Sequence, residues 1–252
     1  MALLDSWTHD TYTADGRTFP TYRKGSGPGV VIIHEIPGPT PSVIAFAEEV
    51  VEAGFTVVLP HLFGEPERPY GPGAVAKSMA KVCVSAEFTK LATGVTTPVA
   101  GWLRSLARDL HAELGGPGVG ALGMCFTGGF ALAMMVDAPV EAPVLCQPSV
   151  PFTVGRKRSA DLNLSPADLA EVKRRAAGGC PVLGIRYASD PLVGSRFDTL
   201  DRELGEAFLR VDLPGKGHSV VTEQRDQGAV DRVLDFFAER LRPAVTDGGT
   251  PG

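Results

Sequence analysis

The sequence predicts an α/β fold: a mostly parallel central sheet with helices on both faces and an antiparallel hairpin at its N-terminal edge. Three observations predict it. Residues 29–35 carry the continuous β-branched run Val30-Val31-Ile32-Ile33, and 55–60 are a second run of β-branched and other apolar side chains, the mark of strands buried on both faces of a parallel sheet. Between such runs lie segments with apolar residues at helical spacing, so strand and helix alternate along the chain. Residues 1–28 instead alternate polar and apolar through Tyr12, Phe19 and Tyr22 about a turn at Asp15-Gly16, as an antiparallel pair does.

Taken in order, the first buried strand runs into Ile36-Pro37-Gly38-Pro39-Thr40-Pro41, too rich in proline to be anything but a loop. Residues 42–53 form a helix stopped by Gly54, and 55–60 form the next strand. The prolines and glycines of 61–73 make an irregular loop at the carboxyl ends of the strands, where binding residues gather in such sheets. Helices are predicted over 74–90 and 98–114, the second closed by Gly115-Gly116-Pro117-Gly118. After a strand and helix centred on Cys125, residues 142–148 read as a short strand. A long polar connection follows over 151–168, and its Arg156-Lys157-Arg158 run reads as a solvated loop. Ser165 caps a helix opened by Pro166 and closed by Gly178-Gly179. Strands over 181–188 and 209–213 run into Ser189-Asp190-Pro191 and Pro214-Gly215-Lys216-Gly217-His218. A last helix spans 229–241. No repeat or composition break divides the chain, so 1–241 is expected as one domain and 242–252 as a disordered tail.

The rest of the chain is arranged around Gly123-Met124-Cys125-Phe126-Thr127-Gly128-Gly129. An apolar strand ends, small residues follow at once, and a helix rich in Ala, Leu and Met begins. A residue at so sharp a turn takes a strained backbone that lifts its side chain clear of the sheet. Small neighbours are then needed two positions before it and just after it. Gly123, Gly128 and Gly129 meet that need, so the stretch reads as a nucleophile elbow carrying sulfur in place of the usual serine oxygen. Taken alone, Cys125 fits equally well as a buried cysteine closing a core strand.

Cys125, Asp190 and His218 stand at the carboxyl ends of three different strands, which lie on one edge of a parallel sheet. Their order, nucleophile then acid then histidine, is that of the α/β-hydrolase triad. The chemistry needs each type, since a thiolate attacks an acyl carbon, an imidazole carries the proton, and a carboxylate fixes the imidazole tautomer. The competing readings are a turn-forming aspartate before Pro191 and an idle surface histidine between Gly217 and Ser219.

Composition narrows the partners. Charged residues make up 21% of the chain and the net charge is −5, which offers no basic face to nucleic acid or acidic lipid; neither nucleic acid nor membrane is expected as a partner. Cys83, Cys125, Cys146 and Cys180 lie far apart with no Cys-x-x-Cys pair. That argues against a disulfide framework or zinc knuckle, and the thiols are expected reduced in the cytoplasm. No uninterrupted apolar run approaches the length that spans a bilayer. Two further patterns fail on context. Gly118-Val119-Gly120-Ala121-Leu122-Gly123 matches a dinucleotide fingerprint but follows a helix and runs through a strand, and His34-Glu35 lacks the second histidine of a zincin.

The stretches His34-Glu35-Ile36-Pro37-Gly38, Gly123-x-Cys125-x-Thr127-Gly128-Gly129, Tyr187-Ala188-Ser189-Asp190-Pro191 and Gly217-His218-Ser219 together resemble the dienelactone hydrolase family. The resemblance runs from about Gly16 to Leu241. It implies an α/β-hydrolase fold, an ester- or lactone-cleaving activity on a small molecule, and no cofactor or metal. It also implies Cys125 as nucleophile, His218 as base and Asp190 as its orienting acid. Glu35 would contact the resting thiol and help generate the thiolate when substrate arrives, and the backbone N–H groups of Ile36 and Phe126 would form the oxyanion hole. From the residues alone, a carboxylate at the end of a buried strand must find a donor, and a structural ion pair for Glu35 is the competing reading.

Two departures stand out. Thr127 occupies a position where the family usually has glycine, so the helix should either pack slightly further from the strand or crowd its neighbour there. Family members that open dienelactone hold its carboxylate with arginines, one just beyond the histidine. Here that window reads Ser219-Val220-Val221-Thr222. The candidate substrate-binding residues are therefore Ser219, Arg225 and, from the irregular loop, Arg68. A thioesterase or carboxylesterase shares the triad chemistry, and a non-catalytic binding protein of the same fold is the alternative from another class. Either a monomer or a small homo-oligomer is compatible with the sequence.

Overall fold

A computed structural model describes residues 2–84, 88, 92–137 and 139–242. Asp15 and Gly16 both adopt positive φ, 50° and 71°, which gives the two-residue turn whose twist suits a hairpin. It joins strand β1 (Thr8–Ala14) to β2 (Arg17–Lys24), paired antiparallel. The remaining strands are β3 (Gly29–Ile33), β4 (Thr56–Pro60), β5 (Val119–Met124), β6 (Val140–Cys146), β7 (Val182–Tyr187) and β8 (Phe208–Leu213). All eight form one sheet in the order β1-β2-β4-β3-β5-β6-β7-β8. Pairing is antiparallel up to β4 and parallel beyond it.

Every residue of β3, β4 and β5 is buried, because each face of the sheet is covered. Val30 and Ile32 point to the side filled by Phe46 of α1 (Pro41–Glu52) and by Phe236 and Phe237 of α8 (Gln227–Leu241). Val31 and Ile33 point to the other side. There they join Trp102 and Leu103 of α3 (Val99–Leu114) and Phe130 of α4 (Gly128–Met134). The alternation is the two-residue period of a strand read against two cores. Thr40, Ser165 and Asp226 cap α1, α6 (Pro166–Ala177) and α8, each side chain accepting from the backbone N–H three residues on and so satisfying an otherwise unpaired donor.

The helix expected over 74–90 begins earlier, as α2 (Pro72–Val84); beyond Val84 that expectation, Phe88 apart, lies outside the described residues. So does the tail expected over 242–252, Arg242 apart. Two helices depart from the sequence reading. Arg156, Lys157 and Arg158 sit in a short helix, α5 (Gly155–Ser159), and not in a loop. Helix α7 (Arg196–Leu204) has only Phe197, Leu200 and Leu204 to mark an apolar face among charged neighbours, the spacing of one narrow helical stripe.

Arg196 opens α7 and is 1% exposed. Its guanidinium donates to the carbonyls of Leu192, Val193, Pro151 and Arg158, and burial pushes its pKa down to about 10. It binds the segment after β6 to the segment after β7, so the walls that those two segments supply to the site are held as one unit.

Candidate active site

Cys125 follows directly on β5 with φ at +51°, a conformation that costs a non-glycine residue roughly 1–2 kcal/mol. A short 3-10 turn, Cys125–Thr127, leads into α4. The close packing that holds this turn explains the small residues around it. A Cβ at Gly123 would overlap the Thr127 carbonyl oxygen and lie 2.9 Å from its carbon, and one at Gly128 would lie 2.6 Å from the Pro148 Cα. Gly129 is different: its Cβ would come no closer than 3.4 Å to any neighbour, the Leu162 oxygen, so this third glycine is not demanded by the turn.

Thr127 is fully buried. Its Oγ1 donates toward the Ile33 carbonyl (2.9 Å) and accepts from the Met124 N–H (3.1 Å), tying the elbow to the end of β3. Ser149 holds the cysteine from the other side. Its N–H donates to the Cys125 carbonyl at 3.0 Å, and its Oγ lies 3.3 Å from Sγ. Cys125 is thus half-buried at a cavity wall, and not sealed in a core.

The sheet brings the later strands' ends to this point. Asp190 follows β7 and His218 follows β8; Nδ1 of His218 lies 2.6 Å from Asp190 Oδ2. The other carboxylate oxygen, Oδ1, accepts from the Leu192 N–H at 3.0 Å. Asp190 is therefore both turn-former and histidine partner, one oxygen for each. The Gln224 side chain accepts from the N–H groups of His218 and Ser219, both at 3.0 Å, and fixes the loop that carries the imidazole. Burial disfavours the imidazolium, but Asp190 and the adjacent Cys125 sulfur outweigh it and push the His218 pKa up to about 10.

Glu35 is 2% exposed and has hydroxyl partners rather than the structural ion pair that its buried position suggested. Ser219 Oγ donates to Oε2 at 2.9 Å, Thr222 Oγ1 donates to Oε1, and Gln147 Nε2 approaches Oε2 at 3.4 Å. Burial holds this carboxyl above the usual range although the two hydroxyls and His218 oppose the shift; desolvation outweighs them. A carboxylate oxygen of Glu35, Cys125 Sγ and a ring nitrogen of His218 all lie within 4.8 Å of one another. Just before it, the buried His34 accepts from the Leu62 N–H at Nε2 (3.1 Å). Its proton is thereby assigned to Nδ1, which faces the Glu35 carbonyl at 3.0 Å. Burial pushes the His34 pKa down to about 3, and this neutral ring pins the end of β3 to the chain leaving β4.

These shifts set how stability changes with pH. His218 binds its proton more tightly folded than unfolded, so its contribution is complete below about pH 6.5 and is lost as pH rises toward 10. Glu35 acts in the same sense above the ordinary carboxylate range. His34 binds its proton less tightly folded, so stability is lost as pH falls from about 6.5 toward 3. Thermal unfolding across this range is expected to peak in mildly acidic to neutral buffer, with the alkaline fall flattened in His218→Gln. An alkaline limb unchanged by that substitution would refute the assignment to His218.

Cys125, Glu35, His218 and Ser219 open into a cavity of about 190 Å³ whose other walls include Ile36, Tyr70, Val75, Met79, Phe126, Phe152 and Leu192. Ile36 and Phe126, expected to offer backbone donors, are thus at the cavity. Arg68 and Arg225 are not among its walls. Arg68 pairs with Glu65 at 2.5 Å and lines a small neighbouring cleft, while both terminal nitrogens of Arg225 are held by the two oxygens of Glu49. The reason is local: each arginine has an acid within reach on the surface. Gln147, Ser149 and Thr222 are site residues that the sequence reading passed over.

A strand–elbow–helix bearing the candidate nucleophile, with acid and histidine at later strand ends of a mostly parallel eight-stranded sheet, defines an α/β hydrolase. Residues 17–240 match the sequence model of the dienelactone hydrolase family, and the chain belongs to that family. Among solved structures, the chain is similar to a dienelactone hydrolase from Anabaena variabilis, with 18% identity, TM-score 0.66, and 94% of this chain and 98% of that one covered. It is also similar to a cold-adapted esterase from an Arctic intertidal metagenomic library (19%, TM-score 0.60, 93% and 93%). A dienelactone hydrolase-like promiscuous phosphotriesterase from metagenomic libraries is a third (18%, TM-score 0.60, 94% and 98%). None of the curated proteins compared with the chain matches it.

Proposed function

We propose that the protein hydrolyses a small-molecule carboxylic ester or lactone through Cys125, His218 and Asp190. The observation that carries the reading is the hydrogen bond between His218 Nδ1 and Asp190 Oδ2, 2.6 Å long, beside a sulfur that the positive φ of Cys125 lifts to the cavity wall.

In this scheme the Cys125 thiolate attacks the ester carbonyl carbon, and the oxyanion that forms is met by the N–H groups of Ile36 and Phe126. The carbon–oxygen bond to the alcohol then breaks, and His218 gives the leaving alkoxide its proton. The acyl group stays on sulfur. Once the sulfur is acylated its negative charge is gone, and with it one of the two influences that raise the His218 pKa. The imidazole now takes a proton from water as that water attacks the thioester. Carboxylate leaves, and the thiolate is restored. Glu35, a buried carboxyl within 4.8 Å of the sulfur, helps generate the thiolate when substrate arrives. A nucleophilic thiol works only while reduced, which fits the cytoplasm.

Brief exposure of the native protein to iodoacetamide, followed by peptide mass analysis, is the test. Cys146 is fully buried and its thiol is pushed up by burial and by Glu35, while burial pushes the Cys180 thiol up to about 11. Cys125 should therefore label before both, and the preference should vanish in His218→Ala. Slow, equal labelling would favour a binding protein that keeps the fold without turnover.

A further inference from the structure

Resting on the ester-hydrolase reading, we infer that the substrate is an uncharged ester whose apolar part is about the size of one aromatic ring, and not a lactone or ester carrying its own carboxylate. Six of the cavity walls are Tyr70, Val75, Met79, Phe126, Phe152 and Leu192, a surface that recognises hydrocarbon by burial. Its ionisable residues are Glu35, Tyr70, Cys125 and His218. The His218 ring is paired with the Asp190 carboxylate at 2.6 Å, so an entering anion meets Glu35 without an arginine or lysine opposite it among the described wall residues.

Size follows from the volume. A protein cavity of roughly 150 Å³ with apolar walls takes up one benzene molecule, and this one measures about 190 Å³. That leaves room for one ring, or a chain of comparable bulk, with the ester group at the sulfur. Tyr70 and Leu192 are about half exposed, 50% and 47%. They form an apolar rim at which the far end of such a substrate loses contact with water, as exposed apolar patches at binding grooves do.

The test compares two esters with the same leaving group and chain length on the full chain: 4-nitrophenyl hexanoate, and the 4-nitrophenyl monoester of adipic acid, whose terminal methyl is replaced by a carboxylate. The expected kcat/KM is about 100-fold lower or more for the charged ester, since an unpaired carboxylate must be taken from water into the apolar cavity. Phe152→Arg, which places a cation on the wall, should narrow that ratio by about tenfold, with near-native circular dichroism as the folding check. Equal or preferred cleavage of the adipate ester by the native protein would overturn the substrate class and leave the hydrolase reading standing. Cleavage of neither ester, with no acyl group on Cys125, would overturn both. Should Phe152→Arg fail to fold, Val75→Lys makes the same comparison at another wall.

Discussion

Asp190→Asn is expected to lower kcat by about 10³-fold or more while the fold survives. The reason lies in the two oxygens of one carboxylate. Oδ1 accepts from the Leu192 N–H and Oδ2 faces His218 Nδ1. In asparagine the single carbonyl oxygen stays with the Leu192 N–H, because an amide NH2 cannot accept there. The NH2 group then points at Nδ1, which must become the acceptor, and the ring proton moves to Nε2. An imidazole protonated at Nε2 cannot take a proton on the side facing the sulfur. Turnover of a 4-nitrophenyl ester, with circular dichroism as the control for folding, measures the effect. A loss of less than about tenfold would mean that this hydrogen bond does not select the tautomer.

Gly123→Ala is expected to be severely damaging, costing about 4 kcal/mol or preventing soluble expression. The added carbon would overlap the carbonyl of Thr127. That carbonyl cannot retreat, because the Thr127 side chain is bonded to the Ile33 carbonyl and the Met124 N–H. The same change at Gly129, six residues on in α4, meets its nearest neighbour only at 3.4 Å, and alanine's helix propensity gains up to about 1 kcal/mol there. Urea unfolding of the two variants should separate them widely. Similar midpoints would show that the elbow is looser than its contacts indicate.

The contrast between these glycines marks where the sequence was informative. Gly123, Cys125 and Gly128 were legible because a sharp strand-to-helix turn restricts residue type locally, and Asp190 and His218 because the ends of parallel strands share one edge. Continuous apolar runs revealed the buried strands for a related reason: burial on both faces leaves no polar position. Helix α7 was not legible, since its narrow stripe lies among charged residues. Gln147, Ser149 and Thr222 were not legible either. Each is an ordinary polar residue whose partner is set by how the segment after β6 and the loop after β8 pack beside the end of β3. Arg68 and Arg225 were drawn toward the site by family resemblance, but nearby surface acids hold them outside it. Thr127, a departure from the family pattern, proved to be a tie between elbow and sheet.

The central claim is that sulfur carries the acyl group. Rapid acid quenching of the protein with excess 4-nitrophenyl hexanoate, followed by intact and peptide mass measurement, tests it most directly. The account predicts a mass increase of one hexanoyl group on the peptide containing Cys125, formed within the first turnover and absent in Cys125→Ala. Steady turnover of the ester by Cys125→Ala, or an acyl group found on another residue while Cys125 stays free, would contradict it.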